Sequence, residues 1–171
     1  MLTYLETSAL VHRAEGTAVS PSPVSVQVGF AVTARLAAGI ADVATCDVGL
    51  VEFHDVVTKL LRDTGQAAYD EAWCDNAIAT LMSDLADGRL LVLPQPPKVF
   101  EHAMRLVTLA TREHGKKFKV WDAVHLLTAV RWSIDAGQVV EFWTTDRDFE
   151  GFANLYPEFN ANVTIRNVVP S

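Results

Sequence analysis

"VWDAVHLLTAVRWSIDAGQVVEFWTTDRDF", residues 120–149, passes from one periodicity to another without a linker. Apolar side chains recur at helical spacing as far as Gly137, a residue suited to the left-handed turn that closes a helix. "VVEFW" then has the β-branched and aromatic content of a short buried strand. The turn "TTDRDF" follows at once and carries Asp146 and Asp148. A helix that feeds a strand directly in this way is a piece of an α/β alternation.

The alternation extends over the rest of the chain. "LTYL", "ADVATC", "RLLVLP" and "NVTIRNVV" are further apolar stretches of strand length. Longer segments with helical spacing lie between them. "FAVTARLAAGI" places Phe30, Ala34, Ala37 and Ala38 on one face, and "VGLVEFHDVVTKLL" places Val48, Val51, Phe53, Val56 and Leu60 on another. "DNAIATLMSDLADG" ends on Gly88, and "PKVFEHAMRLVTLATREHG" opens with Pro97 and closes on Gly115. The expected fold is a three-layer α/β/α arrangement with a central parallel sheet of about five strands and right-handed crossovers. Residues 13–26, "RAEGTAVSPSPVSV", read as a loop, and one domain is expected over residues 1–171.

Composition narrows the function classes. Half of the 171 residues are hydrophobic, enough for a continuous core, and the net charge of −7 argues against a broad basic surface for nucleic acid. Any such contact must use a local patch. Glu6 and Arg13 come too early for a secretory apolar region, and no apolar run reaches the roughly 18 residues of a membrane span. A cytoplasmic protein with no membrane association is expected. Cys46 and Cys74 lack metal-ligand spacing and read as reduced thiols.

The chemistry is in the acids. In an open parallel sheet, ligands bind beyond the carboxyl ends of the strands. Glu6, in "YLETSALV", follows the first strand, and Asp146 and Asp148 follow "VVEFW" at the same edge. Glu52 sits in an apolar helix, where an unpartnered carboxylate costs free energy to desolvate. Asp122 opens a later helix, and reads equally as an acid that favours the helix macrodipole. Together these acids repel one another unless a cation lies among them, and oxygen ligands suit a hard ion such as Mg²⁺ or Mn²⁺. The chemistry that follows is metal-assisted phosphodiester hydrolysis.

The succession "YLETSALV", "GLVEF", "WDAVHLLTA" and "TTDRDF" resembles the PIN-domain family, and within it the VapC-like ribonuclease toxins of toxin-antitoxin pairs. The resemblance spans residues 3–152. It implies a metal-dependent endoribonuclease in which Glu6, Glu52, Asp122 and Asp146 ligate Mg²⁺ or Mn²⁺. Asp148 is then an auxiliary ligand or a turn residue. Thr7, Ser8 and Thr145 resemble the small hydroxyl residues that orient the carboxylates, although capping of the following helix and turn is an equal reading. A small cognate antitoxin and a homodimer are the partners implied, with the apolar helices near residues 29–61 as candidate surfaces. The departure is Glu6, where the family has Asp. The extra methylene is expected to weaken the metal site or to favour Mn²⁺.

Arg112, Lys116, Lys117 and Lys119 form the densest positive run and are candidates for holding RNA phosphates, as is Arg147; a solvated connection is the alternative. Arg13 and Arg147 lie beside motif acids in sequence and are expected to pair with them or with phosphate. His125, one turn after Asp122, reads as a packed or hydrogen-bonded core histidine rather than a general base. Trp73, Trp121, Trp132 and Trp143 read as core or interface aromatics. The rival function is a catalytically weakened PIN-like module that binds RNA or protein.

Overall fold

A computed structural model describes residues 1–39, 41–63, 68–115, 118–153 and 157–169. Its sheet contains β1 (Leu2–Leu5), β2 (Val43–Cys46), β3 (Leu91–Leu93), β4 (Val140–Thr144) and β5 (Val163–Asn167). All pairings are parallel, in the order β3-β2-β1-β4-β5. These are the five stretches expected from β-branched content. The chain steps outward from β1 to β3, then returns to the other side of β1 for β4. That reversal opens a crevice between the carboxyl ends of β1 and β4. The register pairs Leu5 with Trp143, so Glu6 and Thr144 emerge side by side.

Helices cover both faces, giving the three-layer α/β/α arrangement. On one face α1 (Thr7–Glu15), α2 (Pro23–Ala38), α3 (Asp47–Asp63) and α4 (Glu71–Ala86) bury Leu10, Val28, Val32, Phe53 and Trp73 against Leu5, Val43 and Trp143. On the other, α5 (Val99–His114) and α6 (Val120–Ala136) bury Ala103, Val124 and Leu126 against Tyr4, Phe142 and Val163. The short α7 (Asp148–Ala153) and α8 (Pro157–Asn160) add Phe149 and Phe159 to that second core. Successive strand residues point to opposite faces, which is why Tyr4 and Leu5, or Phe142 and Trp143, fall in different cores.

The helix stops follow the glycines. Gly115 and Gly137 close α5 and α6 in the left-handed conformation, at φ +63° and +66°. No helix among the described residues is long and apolar enough to cross a membrane. Cys46 and Cys74 are free and buried.

Several expectations are corrected. Residues 13–26 are not one loop, because α1 continues to Glu15 and α2 begins at Pro23. Ser22 caps α2 by accepting the Ser25 amide at 3.0 Å, and Pro23 occupies a first-turn position that needs no amide hydrogen. α5 starts at Val99, two residues after Pro97. The face of α2 is inverted: Val28, Val32 and Leu36 are buried, whereas Ala34, Ala37 and Ala38 are exposed and Phe30 is 78 % exposed. On α3, Val48 and Phe53 are buried but Val51 is exposed. Trp73 and Trp143 are core residues, and Trp121 is exposed with its ring edge-on to Phe100.

Candidate functional site

Glu6 leaves the end of β1 in extended conformation and caps α1. Its Oε2 accepts the Ser8 amide at 3.0 Å, the Thr144 hydroxyl at 3.0 Å and the Ser8 hydroxyl at short range. The hydroxyl that reaches Glu6 from β4 is therefore that of Thr144. Thr145, the residue expected there, contributes its backbone amide to Ser8 Oγ at 3.0 Å. Register decides between the two threonines, since Thr144 lies next to Glu6 across the β1–β4 pair.

Glu52 comes from the first half of α3. The partner that its apolar setting demands is present: Oε2 accepts from Thr7 Oγ1 at 2.8 Å and from His125 Nε2 at 2.9 Å. Burial alone pushes the Glu52 carboxyl up, but the hydrogen bonds from His125 and Thr7 prevail and hold it below its ordinary value. His125 is fully buried on α6 and is hydrogen-bonded through Nδ1 to the Tyr4 hydroxyl at 2.7 Å. Burial opposes charge on this ring, but hydrogen bonds to Cys46 and Glu52 outweigh it and raise its pKa to about 10.

Glu6, Glu52 and His125 offer donor atoms that all lie within 4.8 Å of one another. Asp122 and Asp146 stand outside that tight group, because each carboxylate is turned onto a backbone amide. Asp122 accepts the Lys119 amide at 3.0 Å, as the helix-start reading required, and Asp146 accepts the Asp148 amide at 2.8 Å. Asp122 still belongs to the same electrostatic neighbourhood. Burial, followed by the charges of Glu6 and Asp146, lifts its pKa from 3.8 to about 6 against the opposing pull of Lys119. Asp148 is exposed at the start of α7.

Among the positive residues, Lys119 and Arg147 are exposed beside the site acids in sequence, and Arg112 is exposed near the end of α5. Lys119 is close enough for its charge to act on both Glu52 and Asp122. Lys116 and Lys117 lie outside the described residues. Arg13 does not join the acids of the site: it pairs with Asp84 of α4 and donates to Thr33 Oγ1 at 3.1 Å.

The donor set fits a hard divalent cation. Glu6 and Glu52 are each anchored through Oε2 and, among the described residues, have no hydrogen bond on Oε1, so each leaves an oxygen for an ion. One further residue shapes this arrangement. A Cβ at Gly49 would lie 2.5 Å from Thr45 Oγ1 and 3.0 Å from the His125 ring, so only glycine lets α3 approach closely enough for Glu52 to meet His125. Gly49→Ala is expected to lower stability by roughly 1–3 kcal/mol, as overpacking a filled interior does. Urea unfolding checks this, and a midpoint at or above that of the unmodified chain would refute the close-packing argument.

Sequence reasoning left His125 out of the site and overlooked Tyr4, Gly49 and Thr144. The histidine was visible one turn after Asp122, but its partners on β1 and α3 were not.

No family model matches the chain, and no curated protein does. Solved structures do. VapBC2 from Rickettsia felis, bound to a DNA fragment from their promoter, superposes with a TM-score of 0.61 at 13 % identity over 97 % of this chain and 98 % of that one. FitAcB from Neisseria gonorrhoeae gives 0.58 at 18 % identity, covering 98 % of both chains. PAE2754 from Pyrobaculum aerophilum gives 0.53 at 18 % identity, covering 94 % of this chain and 96 % of that one. Identities this low speak for architecture alone: the chain has the fold of a VapC-like PIN domain.

Proposed function

We propose that this protein is a Mg²⁺- or Mn²⁺-dependent endoribonuclease and the toxin of a toxin-antitoxin pair. The observation that carries the reading is the convergence of Glu6 and Glu52 at the crevice beside β1, each fixed by one oxygen and open at the other. Asp122 and Asp146, which accept backbone amides in this structure, would complete the ligand set. A cation held there would activate water for attack and neutralise charge that develops on phosphate oxygens.

The chain's own residues supply the rest. Ser8 and Thr144 hold Glu6, Thr7 and His125 hold Glu52, and Lys119 offers a positive charge to the RNA backbone next to the acids. Arg112 and Arg147, both exposed, are further candidates for RNA phosphates, and Lys116 and Lys117 are candidates by sequence alone. The partner is a small antitoxin, and an apolar groove of about 420 Å³ between α1, α2 and α4, lined by Leu10, Val26, Phe30 and Leu81, is a surface suited to an apolar segment. A homodimer in the cytoplasm is the expected state.

The test is Mn²⁺-dependent cleavage of a panel of structured RNAs by the full chain. The unmodified protein should cut, and Glu52→Gln should lose about 10²-fold or more in rate, since several kcal/mol of charge stabilisation go with the ligand. Equal cleavage by the two proteins, or none with Mn²⁺, would remove the enzyme. The amide-bound positions of Asp122 and Asp146 would then favour the second reading, a weakened PIN-like module that binds RNA or protein.

A further inference from the structure

A glutamate on a helix has three side-chain torsions to fix before it can serve as a ligand, and Glu52 is fixed from behind. We infer that His125 is a positioning residue for the cation site: it sets the Glu52 carboxylate from inside the protein and does not itself ligate the ion. The inference rests on the metal reading above and concerns a residue outside the four acids.

A carboxylate only accepts hydrogen bonds, so the 2.9 Å contact to Glu52 Oε2 requires the proton on His125 Nε2. A nitrogen that carries that proton has no lone pair for a cation, although it lies within 4.8 Å of the Glu6 and Glu52 donor atoms. Thr7 Oγ1 lies 3.1 Å from the same nitrogen, and Nδ1 is occupied by the Tyr4 hydroxyl at 2.7 Å. Both ring nitrogens are engaged, and the ring is fully buried.

The ring is in turn held by the sheet. Tyr4 of β1 meets it edge-on at 5.8 Å and stacks on Phe142 of β4 at 5.2 Å, while the Gly49 backbone closes the remaining side. A line of contacts therefore runs from β4 through β1 and α6 to a carboxylate on α3. α6 also carries Asp122 one turn before His125. The same helix thus carries one candidate ligand and holds a second in place.

Mn²⁺ binding to the full chain, followed by electron paramagnetic resonance, tests this without reference to RNA cleavage. His125→Ala should weaken Mn²⁺ binding by about 10- to 100-fold, the usual effect of removing a group that orients a ligand. His125→Gln, which keeps an N–H directed at Glu52, should recover most of that affinity, and melting of the metal-free proteins reports folding separately. Tyr4→Phe, which deletes only the hydroxyl behind the ring, should weaken binding in the same direction and serves if the alanine variant does not fold. In the unmodified protein the Mn²⁺ spectrum should lack coupling to a directly bound histidine nitrogen.

Such coupling would overturn the inference by making His125 a ligand. It would also fall if His125→Ala bound Mn²⁺ like the unmodified chain, or if His125→Gln bound no better than the alanine variant. Failure of the unmodified chain to bind Mn²⁺ is a different result, which removes the metal reading and this inference together.

Discussion

Asp122→Asn should make the metal-free protein more stable above about pH 6 and abolish its thermal response to Mn²⁺. In the folded chain Asp122 has a pKa of about 6, raised from 3.8 first by burial and then by Glu6 and Asp146. Between those two values the unfolded chain has lost its proton and the folded chain has kept it. Stability from this group is thus full below pH 3.8, falls as pH rises through the window, and is flat above it. Asn resembles the protonated acid and escapes that loss. At pH 7.5 the metal-free variant should melt higher by about 3 °C, the shift that roughly 1 kcal/mol produces in a domain of this size. At pH 4 the difference should nearly vanish.

The opposite effect appears when the ion is added. A cation that binds only the folded state raises the melting temperature of the unmodified chain by linkage, and it should barely move the variant, in which His125 one turn on still holds Glu52 but the charge at position 122 is gone. Melting curves at both pH values, with and without Mn²⁺, measure all of this. A variant that melts lower at pH 7.5 would mean that the helix-start role of Asp122, through the Lys119 amide and the macrodipole, exceeds the repulsion from its neighbours.

Arg13→Met should destabilise the fold by about 3 to 5 kcal/mol, a large fraction of the roughly 5–15 kcal/mol that holds a domain together. Asp84 on α4 is only 1 % exposed, and Arg13 from α1 is the cation hydrogen-bonded to its Oδ2. Arg89 Nε lies 3.3 Å from Oδ1, near enough for attraction but not aligned as a hydrogen bond, and Arg89 also pairs with Asp87. Met preserves most of the apolar length of Arg13 but leaves a buried carboxylate half-served. The double variant Arg13→Met, Asp84→Leu should recover most of the loss, because an apolar pair of similar volume replaces the ion pair. Denaturant unfolding of the single and double variants tests the pair, and an unperturbed midpoint for Arg13→Met alone would show that Arg89 suffices.

How much of this was legible in the sequence depends on the range of the interaction. The strands were legible because β-branched runs are local, and so were the ends of α5 and α6, where Gly115 and Gly137 adopt the left-handed conformation. The positions of Glu6 and Asp146 after strands followed from the same local pattern. The start of α2 was not, because Ser22 and Pro23 resemble loop residues until the cap is seen. Its buried face was also hidden: ten of the sixteen residues of α2 are Val, Ala, Phe or Leu, and apolar side chains on every side leave little contrast to mark the outside. Thr144 and Thr145 are chemically identical, and only the β1–β4 register separates them. His125 meets Glu52 across 73 positions and Tyr4 across 121, distances at which helical periodicity says nothing.

The strand order also sets a schedule. Of the five strands β1 is made before the others, yet it lies in the middle of the sheet, and its neighbour β4 is made only after β2 and β3. Thr144 reaches Glu6 across 138 positions of chain. At ribosomal speeds of about 5–20 residues per second, the first acid waits roughly 7 to 28 seconds for the strand that holds it. A nascent or prematurely terminated chain therefore has its earliest candidate ligand but no crevice. Whatever this site does, it can begin only after β4 has been made.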